Sequence, residues 1–136
     1  MIHIHRFLFG ALVLASSASN HVLAHHSYAA HYYEDRRTII EGQVAAFEFR
    51  NPHARVLIDV PDSRRRRTRV IVEWSNTRTL HEQGITRYVL KRGDRVRIQG
   101  SPSRADGNAS LHMKAIERPA DGWKWAARAQ PVTATR

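Results

Sequence analysis

The run Thr38 to Val60 reads "TIIEGQVAAFEFRNPHARVLIDV". Its apolar residues recur with period two, as in a strand with one buried face. Ile40 and Val44 fall on one side, and Phe47 and Phe49 resume the alternation after the phase slips at Ala45-Ala46. A long strand with a bulge has this pattern, because one extra residue turns every later side chain to the other face. Asn51-Pro52-His53 then interrupts the strand, since proline has no N–H for a ladder and asparagine favours turns. Val56, Ile58 and Val60 restore the alternation as a second strand.

Downstream, Pro61-Asp62-Ser63 and Arg64 to Arg67 make a polar connection, and Val70, Val72 and Trp74 read as a third strand. Ser75-Asn76-Thr77 are helix-capping types and Gly84 stands at the usual stop position, so the spacing predicts a helix of about two turns reaching Gln83. Leu90 to Asp94 is a turn. Val96 and Ile98 then point in and Arg95, Arg97 and Gln99 out, in a fourth strand ended by Gly100. Ser101 to Asn108 carries an Asp-Gly loop signal, and a fifth strand spans Ala109 to Ile116. Five strands with a helix between the third and fourth is the element order of the OB-fold, a small, partly open Greek-key barrel. The expected class is therefore all-β, a five-stranded OB-like barrel whose long first strand bends to serve both sides. No internal repeat is visible.

Upstream, a weakly basic start (Met1 to Arg6), an apolar run (Phe7 to Ala15) and a polar stretch ending Val22-Leu23-Ala24 have the layout of a secretory leader. The apolar run is far shorter than the roughly 20 residues a membrane-spanning helix needs. Small residues before the cut favour cleavage between Ala24 and His25, with Ala18 and Ser19 as the alternative. The expected organisation is a signal peptide over 1–24, an N-terminal segment over 25–37, the barrel over 38–118 and a partly disordered tail over 119–136. In that tail, Trp123 and Trp125 are placed to pack back on the barrel. The chain has no cysteine, so neither disulfides nor lipid attachment at a cysteine can hold or anchor it. Losing the leader leaves 112 residues, one ordinary domain, with 21 basic against 12 acidic residues and a balance of +9. The expected location is the periplasm or the exterior. There a basic protein meets anionic polymer or membrane surface more readily than nucleic acid.

The stretches "AHHSYAAHY", "GQVAAFEFRNPHARVLIDV", "GITRYVLKRGDRVRIQG" and "SRADGNAS" resemble a bacterial family of small exported proteins classed as a domain of unknown function. The shared pattern is His25-His26-Ser27 after the leader, Asn51-Pro52-His53 between the first strands, and Gly84, Thr86 and Arg87 leading to Lys91, Gly93, Asp94 and Val96. It covers Ala24 to about Trp125. Family members usually carry an acidic residue where His31 stands. They often carry an aromatic just after the Asn-Pro-His, where this chain has Arg55 and Val56, which alters any ligand surface such an aromatic forms. The resemblance implies location and domain extent and brings no activity.

Cleavage after Ala24 would leave a free α-amine on His25, able to chelate one metal ion together with its own Nδ1. Nitrogen ligands suit Cu(II), which also heads the affinity order for divalent metals, so copper is the expected metal. His26 would add an imidazole, as would His53 if the N-terminal segment folds over its turn. The competing reading of His25 and His26 is a plain polar N-terminus, and that of His53 a turn residue. His31, among Tyr28, Tyr32 and Tyr33, reads equally as a ligand or a polar tip on an aromatic cluster. His81 suits the dipole at a helix end, and His112 shares an outward face with Lys114 and reads as solvated.

Arg64, Arg65, Arg66 and Arg67, extended by Arg95 and Arg97, could grip anionic groups bidentately. They read equally as a solvated hairpin tip. The chain has no Gly-x-Ser-x-Gly elbow, phosphate loop or His-Glu-x-x-His motif. Glu41, Glu48 and Glu73 lie in strands without a spacing that pairs them as acid and base. The sequence thus reads as a non-enzymatic envelope binding protein. Its expected ligand is copper or another transition metal through the N-terminal histidines, and the alternative is anionic polymer or membrane surface through the arginines. No cofactor other than copper is expected.

Overall fold

The computed structural model describes residues 28–105, 107 and 109–128. Six strands form in the order β1 (Thr38–Glu48), β2 (Arg55–Pro61), β3 (Arg67–Glu73), β4 (Arg95–Pro102), β5 (Ser110–Arg118) and β6 (Trp123–Ala126). One helix, α1 (Thr77–Glu82), follows β3, and a single 3-10 turn at Tyr28–Ala30 precedes β1. The sheet order β3-β2-β1-β4-β5 closes on itself through a parallel β3–β5 pairing, giving a five-stranded barrel with β6 added along β5. This is the OB-like architecture that the element order predicts.

The first strand serves two neighbours in turn. Thr38 to Gln43 pair with β4 and Gln43 to Glu48 with β2, and the register slips between Val44 and Ala46, where the alternation changes phase. Val44, Val56, Ile58, Val72, Val96 and Ile98 all point into the barrel and are almost fully buried. The helix starts at Asn76, whose side chain accepts the Thr79 N–H at 2.9 Å, and stops at Gly84, whose φ of +78° few other residues adopt readily. Its Leu80 is completely buried against the barrel core.

Two elements extend beyond the sequence reading. The fourth strand does not end at Gly100. It continues to Pro102 across a register shift at Gln99/Gly100. The Trp123/Trp125 segment is a paired strand, with Trp125 lying edge-on to Trp74 at 4.9 Å and donating its Nε1–H to Gln83 Oε1 at 2.9 Å.

Residues 28–37 form a strap over one side of the barrel. Tyr33 N–H donates to Pro102 O at 2.8 Å, Arg104 N–H to His31 O at 2.8 Å, and Arg37 Nη1 to Ser101 Oγ at 3.0 Å. The Tyr33 ring meets the guanidinium groups of Arg36 and Arg104 at 4.1 and 4.4 Å. The strap is therefore tied at several points.

Candidate functional site

Beneath the strap lies a cleft of about 540 Å³ whose lining includes Tyr28, His31, Tyr32, His53, Glu73 and Arg104. His53 is positioned from both ends of its loop. Asn51 Oδ1 accepts from Thr77 Oγ1 at 2.8 Å and from Thr77 N–H at 3.2 Å, which binds the loop to the start of α1. Ala54 exchanges backbone hydrogen bonds with the Trp74–Ser75 segment. The ring nitrogen Nδ1 of His53 is hydrogen-bonded to Glu73 Oε1, while the Tyr32 hydroxyl donates to Glu73 Oε2 at 2.6 Å. A carboxylate can only accept, so in the neutral ring Nδ1 carries the proton and Nε2 its lone pair. The side chains of His53 and Glu73 keep 29% and 23% exposure, enough for a small ligand to reach the ring.

A second histidine is held the same way. His112 Nδ1 meets Glu34 Oε1 at 2.8 Å, and Lys114 Nζ donates to the other oxygen of that carboxylate. The expectation that His112 is solvated is wrong: its side chain is only 12% exposed, because the strap brings Glu34 and Tyr28 over the face it shares with Lys114. Tyr28 stacks on His112 with ring centroids 3.6 Å apart and planes 9° from parallel, and its centroid lies 5.2 Å from that of His53. Its hydroxyl donates to Trp74 O at 3.0 Å. Burial, and then the neighbouring carboxylates, push the Tyr28 and Tyr32 phenols upward, so both stay protonated donors. Burial also depresses His112, more than its bond to Glu34 raises it. Burial pulls Glu34 up, but Lys114 and His112 together hold it below the usual range.

The other candidates are distributed as follows. His25 and His26 lie outside the described residues, as does the leader. His31 is exposed on the strap and lines the His53 cleft. His81 is exposed in the last turn of α1. Among the described residues, no three His, Asp or Glu side chains converge to hold a metal ion. Arg64, Arg65 and Arg66 form the β2–β3 hairpin tip, where Asp62 accepts the backbone N–H groups of Arg64 and Arg66 and pairs with the Arg66 side chain. Arg67, Arg95 and Arg97 instead line a separate cleft of about 800 Å³, shared with Glu41 and Asp59, and Arg97 pairs with Glu41 at 3.3 Å. Of the six arginines, Arg67, Arg95 and Arg97 thus share one cleft.

Glu73, Tyr32, Glu34 and His112 are the site residues that sequence reasoning missed. Glu73 is the outward neighbour of inward Val72 and Trp74, and His112 is outward on β5, so each face was legible. Their adjacency comes from the parallel β3–β5 pairing, which sets Glu73 opposite His112.

A family model described as "Family of unknown function (DUF6152)" matches residues 12–112. Among solved structures, the N-terminal domain of the PriB protein from Thermoanaerobacter tencongensis, described as dimeric, is similar at 20% identity and a TM-score of 0.46. The match covers 62% of this chain and 96% of that one. No curated protein matches the chain.

Proposed function

The chain belongs to the DUF6152 family of unknown function, and on that premise we propose that it is an exported cell-envelope protein that binds a transition metal, copper above others. The ligands in this reading are His25 and His26 at the processed N-terminus, with His53 and His31 at the cleft. One observation carries it. Tyr28 is held against His53 and His112, and covalent geometry lets His26 and His25 lie no more than about 7 and about 11 Å from it along the chain. The chain therefore lets the histidines that processing would expose reach toward His53, whose Nε2 makes no hydrogen bond among the described residues. The α-amine and Nδ1 of His25 supply two nitrogens, and His53 supplies a third from a different part of the fold. Nitrogen donors of this kind favour Cu(II).

The test is native mass spectrometry of protein recovered from the periplasm, before and after one equivalent of Cu(II). The expected result is a chain beginning at His25 that holds one copper through a salt wash and releases it to chelator or acid. His53→Ala should retain markedly less. A different N-terminus, or copper uptake indifferent to both His25 and His53, would refute the proposal.

The alternative, binding of anionic polymer or membrane surface, draws support from Arg67, Arg95 and Arg97 lining one cleft. Glu41 and Asp59 in the same cleft weaken it. Binding of that kind would fade as ionic strength rises and would disappear when the arginines are replaced by serine.

A further inference from the structure

We propose, resting on the anionic-polymer reading above and independently of the metal site, that the cleft lined by Arg67, Arg95 and Arg97 binds an acidic polysaccharide, a chain that carries carboxylates and hydroxyl groups together. At about 800 Å³ the cleft has the size of a ligand site, and its Glu41, Arg95 and Arg97 are exposed. Arg69, Asp59, Gln43 and Arg95 are successive cross-strand partners on β3, β2, β1 and β4. That row is three strand spacings, or roughly 14 Å, wide. Beside it, Glu41, Arg97, Glu117 and Lys124 are successive partners on β1, β4, β5 and β6. Cations and hydrogen-bond acceptors thus interleave across the face.

The ligand's chemistry follows from what these groups still need. Arg67 and Arg95 are exposed, and among the described residues neither has an ion-pair partner, so each can grip a ligand carboxylate through two N–H groups. Asp59 pairs with Arg69, and Glu41 with Arg97. The Arg69 guanidinium, helped by Arg67 and Arg92, holds Asp59 below the ordinary carboxylate range, so it stays ionised. A carboxylate only accepts hydrogen bonds. A ligand over this face must therefore bring donors to Asp59 and Glu41 as well as negative charge to the arginines. Polyphosphate has the charge without the donors, and its phosphates would face two carboxylates. A chain of uronic acids has both, and Gln43 can donate to it or accept from it. Protein partners are usually met by aromatic side chains and methionine, and the cleft lining has neither. Pro61 and Pro119 supply small apolar surface for the C–H faces of sugar rings.

Isothermal titration calorimetry of the purified protein at one ionic strength tests this with an oligogalacturonate, its methyl ester, polyphosphate and phosphatidylglycerol vesicles. The oligogalacturonate should bind most tightly. The ester keeps the hydroxyls without the charge and polyphosphate the charge without the hydroxyls, so each should bind about tenfold or more weaker, the effect of one charge-assisted hydrogen bond. Arg67→Ser and Arg95→Ser together should weaken the oligogalacturonate at least as much. Glu41→Ala should weaken the oligogalacturonate and strengthen polyphosphate. All three side chains are exposed, so these variants should keep the wild-type melting temperature. Polyphosphate or vesicles bound as tightly as the oligogalacturonate, or Glu41→Ala tightening both polymers, would overturn the inference and leave the anionic-surface reading standing. No binding of any anionic probe, an ester bound as tightly as the acid, or binding unchanged in the arginine variant would remove that reading and this inference together.

Discussion

His53 and His112 each give Nδ1 to a carboxylate, yet they differ in access: one borders an open cleft and the other lies under Tyr28. That difference makes His112 the group to watch as pH falls. Burial lowers it; Lys114 lowers it further, while Glu34 and Glu73 raise it, and Tyr28 and Tyr32 cover it as neutral rings. The unfolded chain takes up a proton near the ordinary histidine value of about 6.5, before the folded protein does. Stability should therefore decline as pH drops from about 6.5 down through the lower folded value. The depressed Glu34 carboxyl should add its own loss only below about 4.5. Melting temperatures recorded from neutral to mildly acidic pH should show the upper decline, and His112→Gln should flatten it. Asn-Pro-His announced a turn in the sequence, but nothing near His53 pointed to Glu73, twenty residues on.

At the scale of single elements, β1 depends on close contact with β2. A Cβ at Gly42 would meet Asp59 O at 2.5 Å and Ile58 Cγ2 at 2.7 Å, and the first of these is backbone that cannot swing aside. Gly42→Ala should destabilise the protein by about 1–3 kcal/mol, the usual cost of overpacking. Urea denaturation should show a lower midpoint with an unchanged slope. The bulge, the helix caps and the inward faces of the strands were all legible, because pleat and helical turn impose local periods on the chain. The continuation of β4 past Gly100 was not, since Gly100, Ser101 and Pro102 carry no apolar alternation that could show the phase on the far side of the register shift. The β6 strand did have a local signal, Asp121-Gly122 followed by alternating Trp123 and Trp125, which is a hairpin pattern. Its shortness made it look like tail.

In the whole molecule, the barrel closes on one side by β3–β5 pairing and is reinforced by β6. Trp125 bridges these parts by packing on Trp74 and bonding Gln83 beyond α1. Trp125→Ala should cost about 2 kcal/mol, less than for a fully buried tryptophan because the residue is only partly buried. A thermal melt would detect it, and an unchanged melting temperature would show that β6 is merely appended. The sequence by itself determined the five strands of the barrel, the place of the bulge, the capped helix and the turn that displays His53, because each follows from neighbours a few residues apart. Only the tertiary structure decided that β3 lies beside β5, that Glu73 meets both Tyr32 and His53, and that the strap covers His112. Those contacts join residues 20 to 80 positions apart, and they exist only when the barrel closes, which no local period of the chain encodes.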